Sequence, residues 1–528
     1  MADESSPLLR DPVRDSAPDA ENALHTDPSS GPEDDDTVAH PLYPRAVVTT
    51  FIILFVASIG GALISTPEVR LLEMAVCRDY YREHDPRVIG HPPLSYIDEQ
   101  LCKLSPIQSN LAYLQATRSL IMTIPGLLLT FPYGYISDKY GRRPVLFLNL
   151  LGQVLTISAA ILICKRSCKL TSQFFHTTQL IKLFPNPVYF HQLLPTNLIL
   201  ATPIFLVIGG GNQVLIATFN AILVDVTPAA KRPTMFYAVG AGMLVTEMVM
   251  IPVGSWLSLT DLWLPFKFSV PAIAFSVCAV FFLPETRPAQ SSPTSEETRP
   301  QSSNNKSSNT LFQTSTNLLH AKFTQTLESL RHPPKGVSIC LLTIFLFVFA
   351  KQSSHFIAQY TSKVLDWKIA TSGYILSLKS LVSLLVLVIL AALSRRATSA
   401  QISPLRLNKR VIIVTLASST IGGVLLGLSR NAAVLITGAI FDSVGLAAFP
   451  ALHSILATFA DPNSTGELFA GAALVELLAG LSGSFAFAGF FDLGLRLSFP
   501  FAIGLPYFLA AALFGAGTII SLSLPSTA

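Results

Sequence analysis

Long apolar runs alternate with short polar turns along most of the chain. Twelve runs, at approximately 46–66, 109–133, 145–164, 198–224, 235–258, 266–283, 337–357, 370–393, 410–428, 431–457, 466–490 and 499–523, approach the length of a membrane span, which takes roughly 20 mostly apolar residues as a helix. None reads as the alternating segments of about ten residues that build a membrane β-barrel. The pattern predicts an all-α integral membrane protein with 12 transmembrane helices. Composition agrees: half the residues are hydrophobic and 13% are charged, about half the charged share of a water-soluble chain. Mean hydropathy is +0.52.

Two polar stretches divide this pattern. Residues 1–44 are acidic, rich in Pro and Ser and free of apolar runs, so they read as a disordered cytoplasmic tail, with the first span left to direct insertion. Within the tail, Glu4-Ser-Ser-Pro-Leu8-Leu9 resembles an acidic di-leucine sorting signal. Residues 285–335 are again rich in Ser, Pro, Gln and Asn, which predicts a flexible cytoplasmic linker. The linker separates a six-helix bundle at 45–284 from a second at 336–524. A faint internal likeness relates Asp225-Val-Thr-Pro…Glu247 to Asp461-Pro-Asn-Ser…Glu476.

Loop charge predicts the orientation, because short cytoplasmic loops collect Lys and Arg. One set of short loops holds Lys139, Arg142, Arg143, Lys231, Arg232, Arg395, Arg396, Arg406, Lys409 and Arg410; the opposite set holds Lys267, Lys363, Lys368, Arg430 and Arg496. Both termini are therefore expected in the cytoplasm, and the sequons at Asn305 and Asn463 are expected to stay unglycosylated. The first outer loop, 67–108, carries Cys77 and Cys102. In an oxidising exterior a disulfide between them would stabilise the loop by roughly 3 kcal/mol. Cys278 and Cys340 lie in apolar segments and read as packing residues. Cys164 and Cys168 lack further ligands at zinc spacing, so no metal is expected. Lys165–Phe190, basic and without periodicity, reads as an enlarged outer loop or as translated intron.

The richest short segment is the turn Gly134-Tyr-Ile-Ser-Asp138-Lys-Tyr-Gly141-Arg142-Arg143 between the second and third spans. Gly134 allows two helices to approach and Gly141 permits a tight turn. Asp138 suits a cation or a helix N-terminus, and Arg142 can fork onto a carboxylate such as Asp225 at the end of the fourth span.

This turn resembles G-x-x-x-D-x-x-G-R-[KR], the signature loop of the major facilitator superfamily. Asp225-Val-Thr-Pro-Ala-Ala-Lys-Arg232 is similar to that family's second signature, and Pro284-Glu285-Thr286 to its usual end of helix six. The resemblance implies two six-helix bundles around a central cavity, with Gly134, Asp138, Gly141, Arg142, Arg143, Asp225 and Arg232 latching a cytoplasmic gate. In style the chain resembles fungal exporters of drugs and secondary metabolites. It departs from proton-coupled exporters in two places. The fourth span reads Ile204-Phe-Leu-Val-Ile-Gly209-Gly-Gly211-Asn212-Gln213, with glycines and no Arg, and Gly240-Ala-Gly242…Ile251-Pro252-Val253-Gly254 only partly matches the exporter signature of the fifth.

Charges inside spans are costly and mark candidate site residues. They are Arg118, Glu247, Lys351, Lys379, Asp442 and Glu476. Facing one cavity, they would bind substrate or pass a proton; separately, they would form structural ion pairs or snorkel to the interface. Asn212 and Gln213 add hydrogen-bonding groups, for substrate or as polar glue between helices. No P-loop, nucleotide fingerprint or nucleophile–base pattern occurs, so neither an enzyme nor a pump driven by its own ATPase is expected, and no cofactor.

The leading reading is a secondary transporter of a small organic molecule working by alternating access, exporting a xenobiotic or secondary metabolite, with proton coupling left open. Nutrient uptake by symport or facilitated diffusion is the second reading, and a non-transporting sensor or scaffold the third. The expected surroundings are the bilayer of the plasma or vacuolar membrane and no nucleic acid, with a monomer as the functional unit.

Overall fold

The computed structural model describes residues 43–90, 97–166, 196–227, 232–285, 334–399, 401, 403–459, 465–497, 499 and 501–524. The acidic tail, most of the 165–190 stretch, the body of the linker, Cys168 and both sequons lie outside them. Within them the chain is helical, as lipid demands: a backbone group without a partner in hydrocarbon costs several kcal/mol, and a helix satisfies its own.

The first three spans are single helices, Tyr43–His84, Ser105–Tyr140 and Arg142–Arg166; the fifth is Arg232–Thr260. The sixth is Leu264–Ala279, extended by a 3-10 turn at Val280–Phe282. The seventh runs Lys335–Lys351, then a 3-10 stretch at Gln352–Phe356, then Ile357–Val364. The eighth and ninth are Ile369–Ser399 and Pro404–Leu428. The tenth joins Ala432–Val444 to Ala448–Thr458 through Gly445–Ala447. The eleventh is Thr465–Arg496, and Leu505–Leu522 forms most of the twelfth. Eleven helical segments among the described residues are long and apolar enough to cross a membrane, and the 36-residue helix Ser105–Tyr140 stands in the place of the second span.

Two expectations need correction. The first span does not stop near residue 66. Its helix passes through Pro67 and continues to His84, because Glu68, Arg70 and Glu73 just beyond Pro67 find partners inside the fold instead of water. The fourth span is also not one helix. A 3-10 helix, Thr196–Ile208, gives way to Gly211–Val226 across Gly210 and Gly211, both at positive φ (76° and 67°). Glycine makes that break cheap. Asn149 on the third span completes it, donating from Nδ2 to the carbonyls of Gly209 (2.7 Å) and Gly211 (2.6 Å).

Each half packs mainly on itself. In the first, Ile53, Leu146, Leu150, Phe219 and Ile222 form a buried cluster; in the second, Phe347, Phe356, Tyr360, Leu452 and Phe514 do so. Between the halves, the second span lies on the eleventh and the fifth on the eighth. Cys340 is buried, as a packing residue should be, whereas Cys278 is exposed on the sixth span: its apolar run has a face turned outward as well as one turned in.

Candidate functional site

At one end of the helices, the Gly134–Arg143 turn organises a cluster of polar contacts. The second span ends at Tyr140, and Gly141 takes φ 103°, donating its N–H to the Ser137 carbonyl at 3.1 Å. The third span then begins at once. Arg142 Nε donates to Asp225 Oδ2 at 3.2 Å, and its Nη1 to Ser137 Oγ at 3.0 Å. Glu285, from the end of the sixth span, accepts the N–H groups of Arg142 (2.8 Å) and Arg143 (3.5 Å). A carboxylate there meets the positive end of the helix dipole. Arg143 Nη2 donates to the Phe281 carbonyl at 2.8 Å.

Glu285 thus occupies the third span's N-terminus. The side chains of Asp138 and Arg232 lie outside the described set, and Gly134 is exposed with open space around it. All the contacts just named join parts of the first half to one another. These contacts form a clamp on the second, third, fourth and sixth spans.

A second cluster lies deep in the second half. Lys379 Nζ donates to Asp442 Oδ2 at 2.8 Å and to Ser354 Oγ at 3.1 Å. Lys351 Nζ reaches both Asp442 carboxylate oxygens at 3.4 Å and the Asp442 carbonyl at 3.2 Å. Lys379 is the eleventh residue of its helix, about 15 Å along at 1.5 Å per residue, which is half of a hydrocarbon core of about 30 Å. Gly422 on the ninth span allows this depth of packing, since a Cβ there would collide with the Asp442 backbone. Asp442 is 4% exposed, while the side chains of Lys351 and Lys379 retain 20% and 13%. Next to Lys379, Ser380 donates to Glu247 Oε2 on the fifth span at 3.0 Å. Glu247 is exposed. Lys351, Lys379 and Asp442 thus gather within the second half, and Glu247 of the first half bonds the residue next to Lys379.

The remaining candidates do not join them. Arg118 pairs with Glu68 of the first span, beside a small crevice lined by Ile64, Leu72, Ile157 and Phe266. This is an ion pair internal to the first half. Arg118 is buried, so removing half-buried Glu68 strands its charge, whereas replacing both with apolar groups is often neutral or better. Glu68→Gln is accordingly expected to destabilise the protein by about 3 kcal/mol, and Glu68→Leu combined with Arg118→Leu to restore the wild-type Tm, as thermal unfolding in detergent would report. Glu476 Oε1 pairs with His453 Nε2 at 2.9 Å, toward the end of the second half that bears the linker. Asn212 and Gln213 are exposed on the fourth span, and the Gln213 stem sits against Gly126 of the second. Cys77 and Cys102 form a disulfide.

The match to known proteins settles what this architecture is. A family model described as Major Facilitator Superfamily matches residues 103–486. The chain belongs to the major facilitator superfamily. It has that superfamily's fold, two bundles of six transmembrane helices, and is a membrane transporter. Among curated relatives, the MFS efflux pump atnC of Emericella nidulans is 28% identical over 88% of this chain and 85% of its own. The efflux pump ustT of Aspergillus flavus is 26% identical, over 82% and 78%. The MFS transporter SAT21 of Stachybotrys chartarum is 23% identical, over 90% and 96%. In fold, the chain is similar to the human organic anion transporter MFSD10 (TM-score 0.56, 18% identity, 91% of this chain and 100% of that one). A D-xylose–proton symporter gives TM-score 0.57 at 16% identity, over 90% and 98%.

Proposed function

We propose that this protein exports a small organic molecule, of the secondary-metabolite kind, by alternating access between its two halves. The observation that carries the reading is the Lys351–Asp442–Lys379 cluster at half-depth, with Glu247 of the other half bonded to the adjacent Ser380. Charges at that depth are costly and are kept where a substrate or ion pathway uses them. Two ammonium groups against one carboxylate provide donors for polar substrate groups, and Glu247 is the carboxylate accessible to substrate or protons. Relatives named as efflux pumps support the outward direction.

In this reading the Gly134–Arg143 clamp lies on the cytoplasmic side with both termini, and keeps the first half rigid as it rocks. The linker at 285–335 joins the two moving halves. The membrane is the plasma membrane or the vacuolar membrane. Deletion of the gene, followed by mass spectrometry of separated cell and medium (or vacuolar) fractions, tests the direction. Export predicts a metabolite that rises in the cytosol and falls outside it. A compound that fails to enter the cell instead would favour uptake.

A further inference from the structure

At the end of the helices away from the Gly134–Arg143 turn, a short strap crosses between the halves. Residues Glu99–Lys103 form a 3-10 turn, opened by Asp98, whose carboxylate accepts the Gln100 N–H at 3.1 Å. The strap is fastened to the first half twice. Cys102 is bonded to Cys77 on the first span. Lys103 Nζ then pairs with Glu73 at 2.9 Å, and Glu73 also accepts from Arg70 (2.6 Å) and Gln108 (2.6 Å). Glu73 is fully buried, and the side chains of Arg70 and Lys103 keep only 7% and 6% exposure. Two cations and two carboxylates, counting Glu99, balance inside this knot.

The strap's bonds to the second half are of a different kind. Glu99 Oε1 accepts the N–H of Ile369, the first residue of the eighth span, at 2.6 Å. Lys363 Nζ donates to the Lys103 carbonyl at 2.5 Å, and Gln100 Nε2 to the Asp366 carbonyl at 3.2 Å. Beside them, Ser109 of the second span donates to Asp492 of the eleventh at 2.6 Å. One side of the strap is thus held covalently and by a buried ion network. The other is held by a few separable hydrogen bonds, of which the Glu99 bond places a carboxylate on a helix N-terminus.

We infer that residues 97–104 are a gate strap carried by the first half, and that Glu99 is its latch: a positioning residue that holds this end closed by capping the eighth span from the opposite half. The inference rests on the alternating-access reading above. If this end opens during transport, the break falls on the second-half side, because the disulfide and the Arg70–Glu73–Lys103 knot move with the first span. Glu99 then exchanges its Ile369 bond for water while keeping Lys103 (3.1 Å) and Arg70 (3.6 Å). A bond present in only one of two states sets their ratio.

The test measures that ratio without needing a substrate. Full-length protein in lipid nanodiscs carries non-reducible spin labels at Glu83→Cys and Arg430→Cys, both exposed at the strap end. Cys164, Cys168, Cys278 and Cys340 are replaced by Ser, and the disulfide is kept. Glu99→Ala is expected to raise the population of the longer inter-label distance about tenfold, the scale of one charge-assisted hydrogen bond. Ile369→Pro removes the donor from the other side, at a first helical position where proline is accepted, and is expected to give the same shift. The two together should go no further than either alone. Two distances in the wild type, with a ratio that Glu99→Ala leaves unchanged, would overturn the latch. Strictly additive effects of the two substitutions would overturn it as well, by assigning Glu99 only to the knot. One distance in the wild type and in every variant would instead sink alternating access at this end, and the latch with it.

Discussion

Asparagine at position 442 is expected to lower transport by about 100-fold or more. Asp442 is the only carboxylate within ion-pair reach of Lys351 and Lys379 among the described residues. Losing its charge leaves two ammonium groups facing each other at half-depth, and stranding a buried charge costs about 3–5 kcal/mol. Part of that cost would fall on folding. A second variant separates the two effects: Asp442→Asn combined with Lys351→Met removes one stranded cation. Folded yield by size-exclusion chromatography is expected to recover in the pair, while transport per folded molecule stays low. Recovery of both would reduce the cluster to a structural ion pair. The seventh span gives a reason to expect otherwise. Lys351 closes its first helical segment immediately before the 3-10 stretch that supplies Ser354, so the cluster sits where that helix changes geometry.

Arg142→Ala is expected to cut the transport rate at least about tenfold with little change in the amount of protein reaching the membrane. Arg142 lies where three spans converge, through Ser137, its own position at the start of the third, and Asp225. Its side chain is one tie and the Glu285 bond to its backbone N–H is another, so the turn keeps its shape while losing stiffness. Lysine conserves the charge but not the planar fork, and Arg142→Lys should fall between alanine and wild type. Transport normalised to membrane protein on a blot provides the check. Asp225→Asn should mimic Arg142→Ala, and the double variant should add little, since the two act through one bond.

How legible these sites were depends on what each residue's signal is made of. Asp442, Lys351 and Lys379 stand out because a charge inside an apolar run is visible without any partner. That the three meet is not visible in the sequence, because only packing in the folded state brings the tenth span against the seventh and eighth. Arg118 looked equivalent to them in the sequence. Its partner, Glu68, is hidden because Pro67 and the charges after it read as a loop, although the first helix runs through them. The same loop-like pattern conceals Arg70 and Glu73, whose charges pair inside the fold. His453 escaped notice as a lone histidine near a span end, though Glu476 pairs with it.

The turn at 134–143 is legible from its own spacing, and Arg142 contacts Asp225, a carboxylate at the end of the fourth span. In the sequence, Glu285 stands out only as part of a family likeness. Its seat on the third helix's N-terminus requires knowing that the sixth span ends beside the start of the third. The glycines of the fourth span were visible, but their positive φ and Asn149's two bonds to them belong to the folded state.

The most direct test returns alleles to a strain lacking the gene and measures the cell-to-medium ratio of the metabolite that the deletion retains. Wild type is expected to bring that ratio back to its original value. Asp442→Asn, at equal abundance in the same membrane, is expected to leave it where the deletion put it. Full restoration by Asp442→Asn, or a deletion that changes no ratio at all, would contradict export through the Lys351–Asp442–Lys379 site.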